Sequence, residues 1–125
     1  MQTALFIGLG SFVGGILRHL TGLLVKSWVE TTAFPWHTLA INLAGCLLLG
    51  MLTGMFERGL ALHADLRAAL TVGVCGGFTT FSTFAGENFS LFRQGAYGLG
   101  ISYILATLVL GVLLLFAGYA ATARI

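Results

Sequence analysis

The chain has 125 residues, of which 58% are hydrophobic and only 8% charged, with a mean hydropathy of +0.98. A soluble globular domain carries about 25% charged residues, so this composition excludes that class and points to an integral membrane protein. The six basic residues behind the net charge of +2 are dispersed, which excludes a nucleic-acid footprint or a polybasic lipid-binding patch.

A membrane span needs about 20 apolar residues. Four stretches qualify, at about 3–25, 37–56, 66–92 and 96–121. The loops between them are short, so residues 1–125 read as one four-helix domain with no soluble module. Nothing basic precedes the first stretch and it is long enough to remain as a span, so no cleaved signal is expected. That first span carries Gly10-x-x-x-Gly14 and then Arg18. A guanidinium in lipid must snorkel or find a partner, so Arg18 reads as an anchor or as the collar of a vestibule.

Trp28 and Trp36 bracket the following loop and mark a bilayer surface, and Pro35 suits the start of the second helix. Inside the second span Asn42 interrupts an apolar run, with Thr38 one turn earlier on the same face. The pair makes a polar stripe that fits either interhelical hydrogen bonding or a water-lined path. Gly50-x-x-x-Gly54 follows. Small residues at this spacing let helices approach closely, and with Gly10/Gly14 and Gly73-x-x-x-Gly77 they predict tight seams, a subunit interface among them.

The third span holds the most unusual segment, Gly76-Gly77-Phe78-Thr79-Thr80-Phe81-Ser82-Thr83-Phe84. Paired glycines and paired β-branched threonines weaken a helix, so a break is expected at mid-membrane, where freed carbonyls become a candidate ion site. Phe81 and Phe84 are three residues apart and share a helix face. Ring edges are positive, so rings turned edge-on to a lumen attract an anion, and the hydroxyls of Thr79, Thr80, Ser82 and Thr83 are neutral donors beside them. Glu87, beyond this run, is the acidic residue within a span. It could titrate in transport, stay solvated at a pore mouth, or pair with Asn88 and Arg93.

In the fourth span Tyr103 and Thr107 form an i, i+4 polar pair continued by Gly111. Cys46 and Cys75 lack metal or redox spacing and read as packing residues. His19, His37 and His63 lie in three different segments and read as interfacial. No Ser/His/Asp set, carboxylate pair or phosphate loop is present, so catalysis is not expected. Arg58, Arg67 and Arg124 fall on one side of the membrane and Lys26 and Arg93 on the other. So even a split leaves orientation nearly unbiased, and insertion both ways up is expected.

Taken together, the Gly-Gly-x-Thr-Thr-Phe-Ser-Thr-Phe run, the stretch Thr38-Leu39-x-Ile41-Asn42-x-x-Gly45 and Gly14-Gly15-x-x-Arg18 resemble the small fluoride channels called Fluc or CrcB. The resemblance covers the whole chain. It implies an all-α membrane protein that assembles as an antiparallel, dual-topology homodimer with two fluoride pores, in the bacterial inner membrane. It further implies a sodium ion on the central dyad, held by the backbone carbonyls of Gly76 and Thr79. By the same resemblance Phe81, Phe84 and Asn42 line the fluoride pore, Ser82 and Thr83 lend hydroxyls, Tyr103 and Thr107 form a polar track, and Arg18 and Glu87 belong to the vestibule. His19 and His37 depart from the family pattern, where an aromatic and a glycine are common. The partners implied are fluoride, sodium, the lipid bilayer and a second copy of the chain, with no nucleic acid.

Transport would then be passive electrodiffusion, driven outward by an inside-negative potential worth about 2.3 kcal/mol per charge at 100 mV. The alternative is a proton-coupled small multidrug exporter, which also pairs four-helix subunits. That transporter needs a carboxylate deep in its first span, where this chain carries Arg18 instead. A purely structural membrane protein would account for the glycine seams and leave the polar run unexplained.

Overall fold

The computed structural model describes residues 1–29 and 33–123, so Arg124, one of the residues in the charge comparison above, lies outside the described residues. All regular structure in the described residues is helical. Helix α1 spans Gln2–Trp28 and α2 spans Trp36–Glu57. The third span begins as α3 (Ala64–Ala68), widens into a π-helical stretch at Ala69–Cys75 and returns to α-helix as α4 (Gly76–Phe78). Thr79 (φ −83°, ψ 156°) and Thr80 (φ −147°, ψ 118°) are extended. The chain then re-enters helix as α5 (Phe81–Arg93) and ends in α6 (Tyr97–Ala123). Four helical segments, Gln2–Trp28, Trp36–Glu57, Ala64–Arg93 and Tyr97–Ala123, are long and apolar enough to cross a membrane.

Two tight turns connect spans on the sequence's own instructions. Gly59 (φ 99°) follows α2 and Gly95 (φ 77°) follows α5, each in the left-handed region that a side chain resists. At the first, Leu60 N–H donates to Met55 O and Gly59 N–H to Phe56 O, both at 3.1 Å; at the second, Ala96 N–H donates to Leu91 O at 2.9 Å and Gly95 N–H to Phe92 O at 3.1 Å. These paired bonds satisfy the last carbonyls of each helix and reverse the chain at once.

The helices pack as two pairs, α1 on the third span and α2 on α6. Glycines set both contacts. A methyl at Gly10 would strike Ala69 O, and one at Gly77 would sit 2.6 Å from Ser11 O, so the first and third glycine motifs face each other. Across the other pair, Gly54 lies under Tyr119 O and Gly118 under Leu47 O. All three Gly-x-x-x-Gly pairs therefore make close contacts inside the chain. The close approach earns dispersion and weak polar contacts where water is absent and the hydrophobic effect gives no drive between helices.

At one end of the bundle the polar ends are tied together. Tyr119 Oη–H donates to the Glu57 carboxylate, Thr3 Oγ1–H donates to Asp65, and the Arg67 guanidinium lies 4.6 Å from the centre of the Phe56 ring. The buried cluster of Leu39, Phe84, Leu91 and Tyr103 lies among α2, α5 and α6. Cys75 is buried and Cys46 half-buried, both as free thiols.

The seam gives a sharp test. At Gly14 an added Cβ would lie 2.8 Å from Phe78 N and closer still to Val74 O, both backbone atoms that cannot swing aside, whereas at Gly15 nothing lies within 4 Å. Gly14→Ala is expected to lower stability by about 1–3 kcal/mol and Gly15→Ala to leave it unchanged, measured by thermal melting in detergent.

Candidate functional site

The extended pair Thr79–Thr80 takes two peptide groups out of the helical ladder inside an apolar span, where each must find a partner. Asn42 answers from α2. Thr80 N–H donates to Asn42 Oδ1 at 3.0 Å, and Asn42 Nδ2–H donates back to Thr80 O at 3.4 Å, so the side-chain amide pairs with a peptide group as a neighbouring strand would. Thr80 Oγ1 accepts from Thr83 N–H at 3.4 Å and its hydroxyl lies 3.1 Å from Thr83 Oγ1, which caps the start of α5. Thr79 turns back instead, its N–H and Oγ1–H both donating to Cys75 O, at 3.0 and 2.9 Å.

These bonds have a consequence for two carbonyls. In an unbroken helix Thr80 N–H would close on Gly76 O and Thr83 N–H on Thr79 O. Here Asn42 and Thr80 Oγ1 take those two donors. Gly76 is exposed on the chain's surface and nothing lies within 4 Å of the place its Cβ would occupy.

A cavity of about 400 Å³ opens against this segment, with Asn42, Gly76, Thr79, Phe81, Phe84 and Thr107 in its wall. Six of the residues singled out in the sequence, from three spans, thus meet at one place. The rings of Phe81 and Phe84 are 5.8 Å apart and tilted by 47°. They differ in setting, since Phe84 is 9% exposed and Phe81 79% exposed, projecting off the chain. Among the described residues Thr107 Oγ1, like Asn88 Oδ1, is buried without a hydrogen-bond partner, and a buried hydroxyl left unpaired costs about 1–3 kcal/mol. Cys46 and Cys75 also border this space, a placement their packing role did not foretell.

Ser82 and Thr83 are exposed at the start of α5 and outside that wall, Thr83 serving the cap. Tyr103 and Thr107 part company as well. Tyr103 is fully buried and its Oη–H donates to Glu87 Oε2 at 2.8 Å, while Thr38 Oγ1–H donates to Glu87 Oε1 at 2.7 Å. His37 Nε2 lies 3.6 Å from the same Oε1. Glu87 is therefore a carboxylate held by two hydroxyl donors, and the pairing with Asn88 and Arg93 does not form: Asn88 Nδ2–H donates to Phe84 O at 3.0 Å, and Arg93 lies over the Phe89 ring at 5.7 Å. Neither the Thr38–Glu87 nor the Tyr103–Glu87 contact is visible in one dimension, although the polarity of each residue is.

Glu87 also lines a second cavity, of about 380 Å³, together with Lys26, Trp36, His37, Ser90 and Gln94. Tyr103 joins the two spaces, since it touches Glu87 in the wall of one and stacks 4.9 Å from Phe84 in the wall of the other. Arg18 is half-buried in α1 and lines neither cavity, and His19 is exposed. Among the described residues no group of three or more His, Cys, Asp or Glu side chains could hold a metal ion.

Comparison with known proteins places this architecture. A family model described as CrcB-like protein, Camphor Resistance (CrcB), matches residues 5–119. A protein of Phocaeicola vulgatus is 42% identical over 113 residues, covering 90% of this chain and 92% of its own length. One from Nautilia profundicola is 44% identical over 118 residues, covering 94% and 91%. A third, from Flavobacterium psychrophilum, is 39% identical over 118 residues, covering 94% of both chains. Each of the three carries the name fluoride-specific ion channel FluC. With nearly its whole length matched both by the family model and by relatives of the same size, the chain belongs to the CrcB-like family.

Proposed function

We propose that the chain forms a fluoride-selective channel that releases the anion across a bacterial inner membrane by passive electrodiffusion. The observation that carries this reading is the cavity at Thr79–Thr80, where neutral donors and two phenylalanine rings line a space in an apolar bundle and the Thr107 hydroxyl has no partner. Fluoride holds its water tightly. A pore must replace that shell with donors in a narrow passage, and hydroxyls, an amide and ring edges do so without a fixed positive charge that would trap the ion. The names of the relatives support the choice of anion.

The working unit in this reading is an antiparallel homodimer of dual topology, with the third span broken at Thr79–Thr80 and a pore on each side of the dyad. Three features support it. Phe81 projects 79% exposed from the segment whose partner ring lines the cavity, which leaves it to be covered by a second chain. The basic residues divide almost evenly between the two sides. Both cavities described above, bordered by the described residues of one chain, are open-sided.

The dimer centre would hold sodium. The carbonyls of Gly76 and Thr79 suit it, since both have lost their helical donors and Gly76 faces outward with open space beside it. Carbonyl oxygens are hard, neutral donors appropriate to a small alkali cation. A bound sodium would supply a fixed positive charge between the pores and a bond between subunits. The proton-coupled exporter is the weaker reading, because α1 contains no carboxylate and the carboxylate in the third span, Glu87, is engaged by Thr38 and Tyr103.

Purified protein in liposomes should release fluoride and retain chloride, and equal efflux of the two ions would remove the proposal. Within the pore, Thr107→Val deletes an unpaired buried hydroxyl at constant shape, so melting temperature should hold or rise while fluoride efflux falls about tenfold, the equivalent of about 1.4 kcal/mol in the barrier. A hydroxyl without a role in conduction would leave efflux unchanged. Three lysines added to one terminus should force a single orientation and cut activity in cells, with recovery when the oppositely biased chain is co-expressed; full activity from one biased chain alone counts against dual topology.

A further inference from the structure

We infer that Asn42 is a positioning residue for the central cation: by taking the Thr80 N–H, it keeps the Gly76 carbonyl open for coordination. This rests on the sodium reading above and adds to it the element that sets the site. The third span cannot hold its own extended segment. The α-helical acceptor for Thr80 N–H is Gly76 O, and closing on it would regenerate the helix and consume a ligand. Asn42 Oδ1, supplied by α2 and buried, takes that proton at 3.0 Å, and Nδ2 secures the peptide from its other side at 3.4 Å.

The second carbonyl is freed by a different device in the third span itself, since Thr80 Oγ1 takes the Thr83 N–H that would have closed on Thr79 O. One ligand is thus released by a local cap and the other by a side chain from a neighbouring helix. A carboxamide has two Nδ2 protons and one is used on Thr80 O, so the other remains for the cavity that Asn42 also lines. The same side chain therefore belongs to the anion path and to the cation site.

The chemistry is specific to an amide. Aspartate at this position accepts the Thr80 N–H as before but turns an acceptor, not a donor, toward Thr80 O. Alanine provides neither bond, and the Thr80 N–H falls back on Gly76 O. The order of damage to the cation site is therefore alanine first and aspartate second. A residue acting only on the passing anion gives the opposite order, because a carboxylate in the path repels fluoride and a methyl group does not.

The test is melting temperature of the purified dimer as sodium chloride replaces N-methylglucamine chloride at constant ionic strength, with fluoride efflux recorded in parallel. Wild type should gain stability with sodium and saturate. Asn42→Ala should raise the half-maximal sodium concentration at least tenfold and Asn42→Asp by less, while Thr107→Val, in the same cavity wall, keeps the wild-type sodium curve. If Asn42→Ala does not yield folded dimer, Asn42→Ser, which can accept but reaches less far, takes its place and should also exceed Asn42→Asp. A wild-type sodium curve in the alanine or serine variant alongside reduced efflux overturns the inference and leaves Asn42 as a pore residue alone. Absence of any sodium response in wild type overturns the cation site itself, and with it this inference.

Discussion

Every other feature of the site depends on one constraint, that backbone amides withdrawn from a helix in lipid must be paired by protein. Two consecutive extended residues expose several such groups, each worth about 1–3 kcal/mol if left unpaired and buried. Neutral side chains meet part of this need: Thr80 Oγ1 accepts from Thr83 N–H and Asn42 reaches across from α2 to pair with Thr80, while the Gly76 and Thr79 carbonyls are left without their helical donors. Neither side chain adds charge, so the segment remains compatible with its apolar surroundings.

The glycine seams make that arrangement possible. With α1 held against the third span at Gly10/Gly73 and Gly14/Gly77, the helix just before the extended pair is fixed backbone to backbone. With α2 held against α6 at Gly50, Gly54 and Gly118, the helix that carries Asn42 is fixed as well. The approach continues at Gly45, where an added methyl would strike the Thr79 side chain, so α2 meets the third span closely beside Asn42. A larger residue in any of these seams moves the amide relative to the peptide it pairs with, and a hydrogen bond between 3.0 and 3.4 Å tolerates little displacement before its geometry fails. Packing far from the cavity is in this sense part of the site.

Much of this was legible in one dimension. Spans follow from apolar run length, and the location of the site from hydroxyls, glycines and phenylalanines crowded where lipid-facing residues belong. The partners were not legible. Nothing in the spacing says that Gly10 and Gly14 meet Gly73 and Gly77, because a small residue advertises close approach without naming what approaches. The π-helical stretch at Ala69–Cys75 has no compositional mark, since its sequence would serve equally as α-helix. Glu87 illustrates the same limit. Its near neighbours in sequence, Asn88 and Arg93, were natural partners, yet its face of α5 turns inward onto Thr38 and Tyr103, which lie 49 and 16 residues away.

The two groups of hydroxyls show how one chemistry is put to two uses. Thr38 and Tyr103 are buried and donate hydrogen bonds to the Glu87 carboxylate, at 2.7 and 2.8 Å. Hydrogen bonds to a charged acceptor are about twice as strong as neutral ones, so these two donors are held firmly in place. Thr107, one turn further along α6 from Tyr103, is the same kind of donor with no carboxylate beside it. The difference lies in what faces each turn of α6: a carboxylate on α5 opposite Tyr103, and an open cavity opposite Thr107. A carboxylate beside Thr107 would occupy the donors and repel an incoming anion. With Glu87 set apart from that cavity, the Phe84 ring and the Thr107 hydroxyl in its wall are not taken up by the carboxylate.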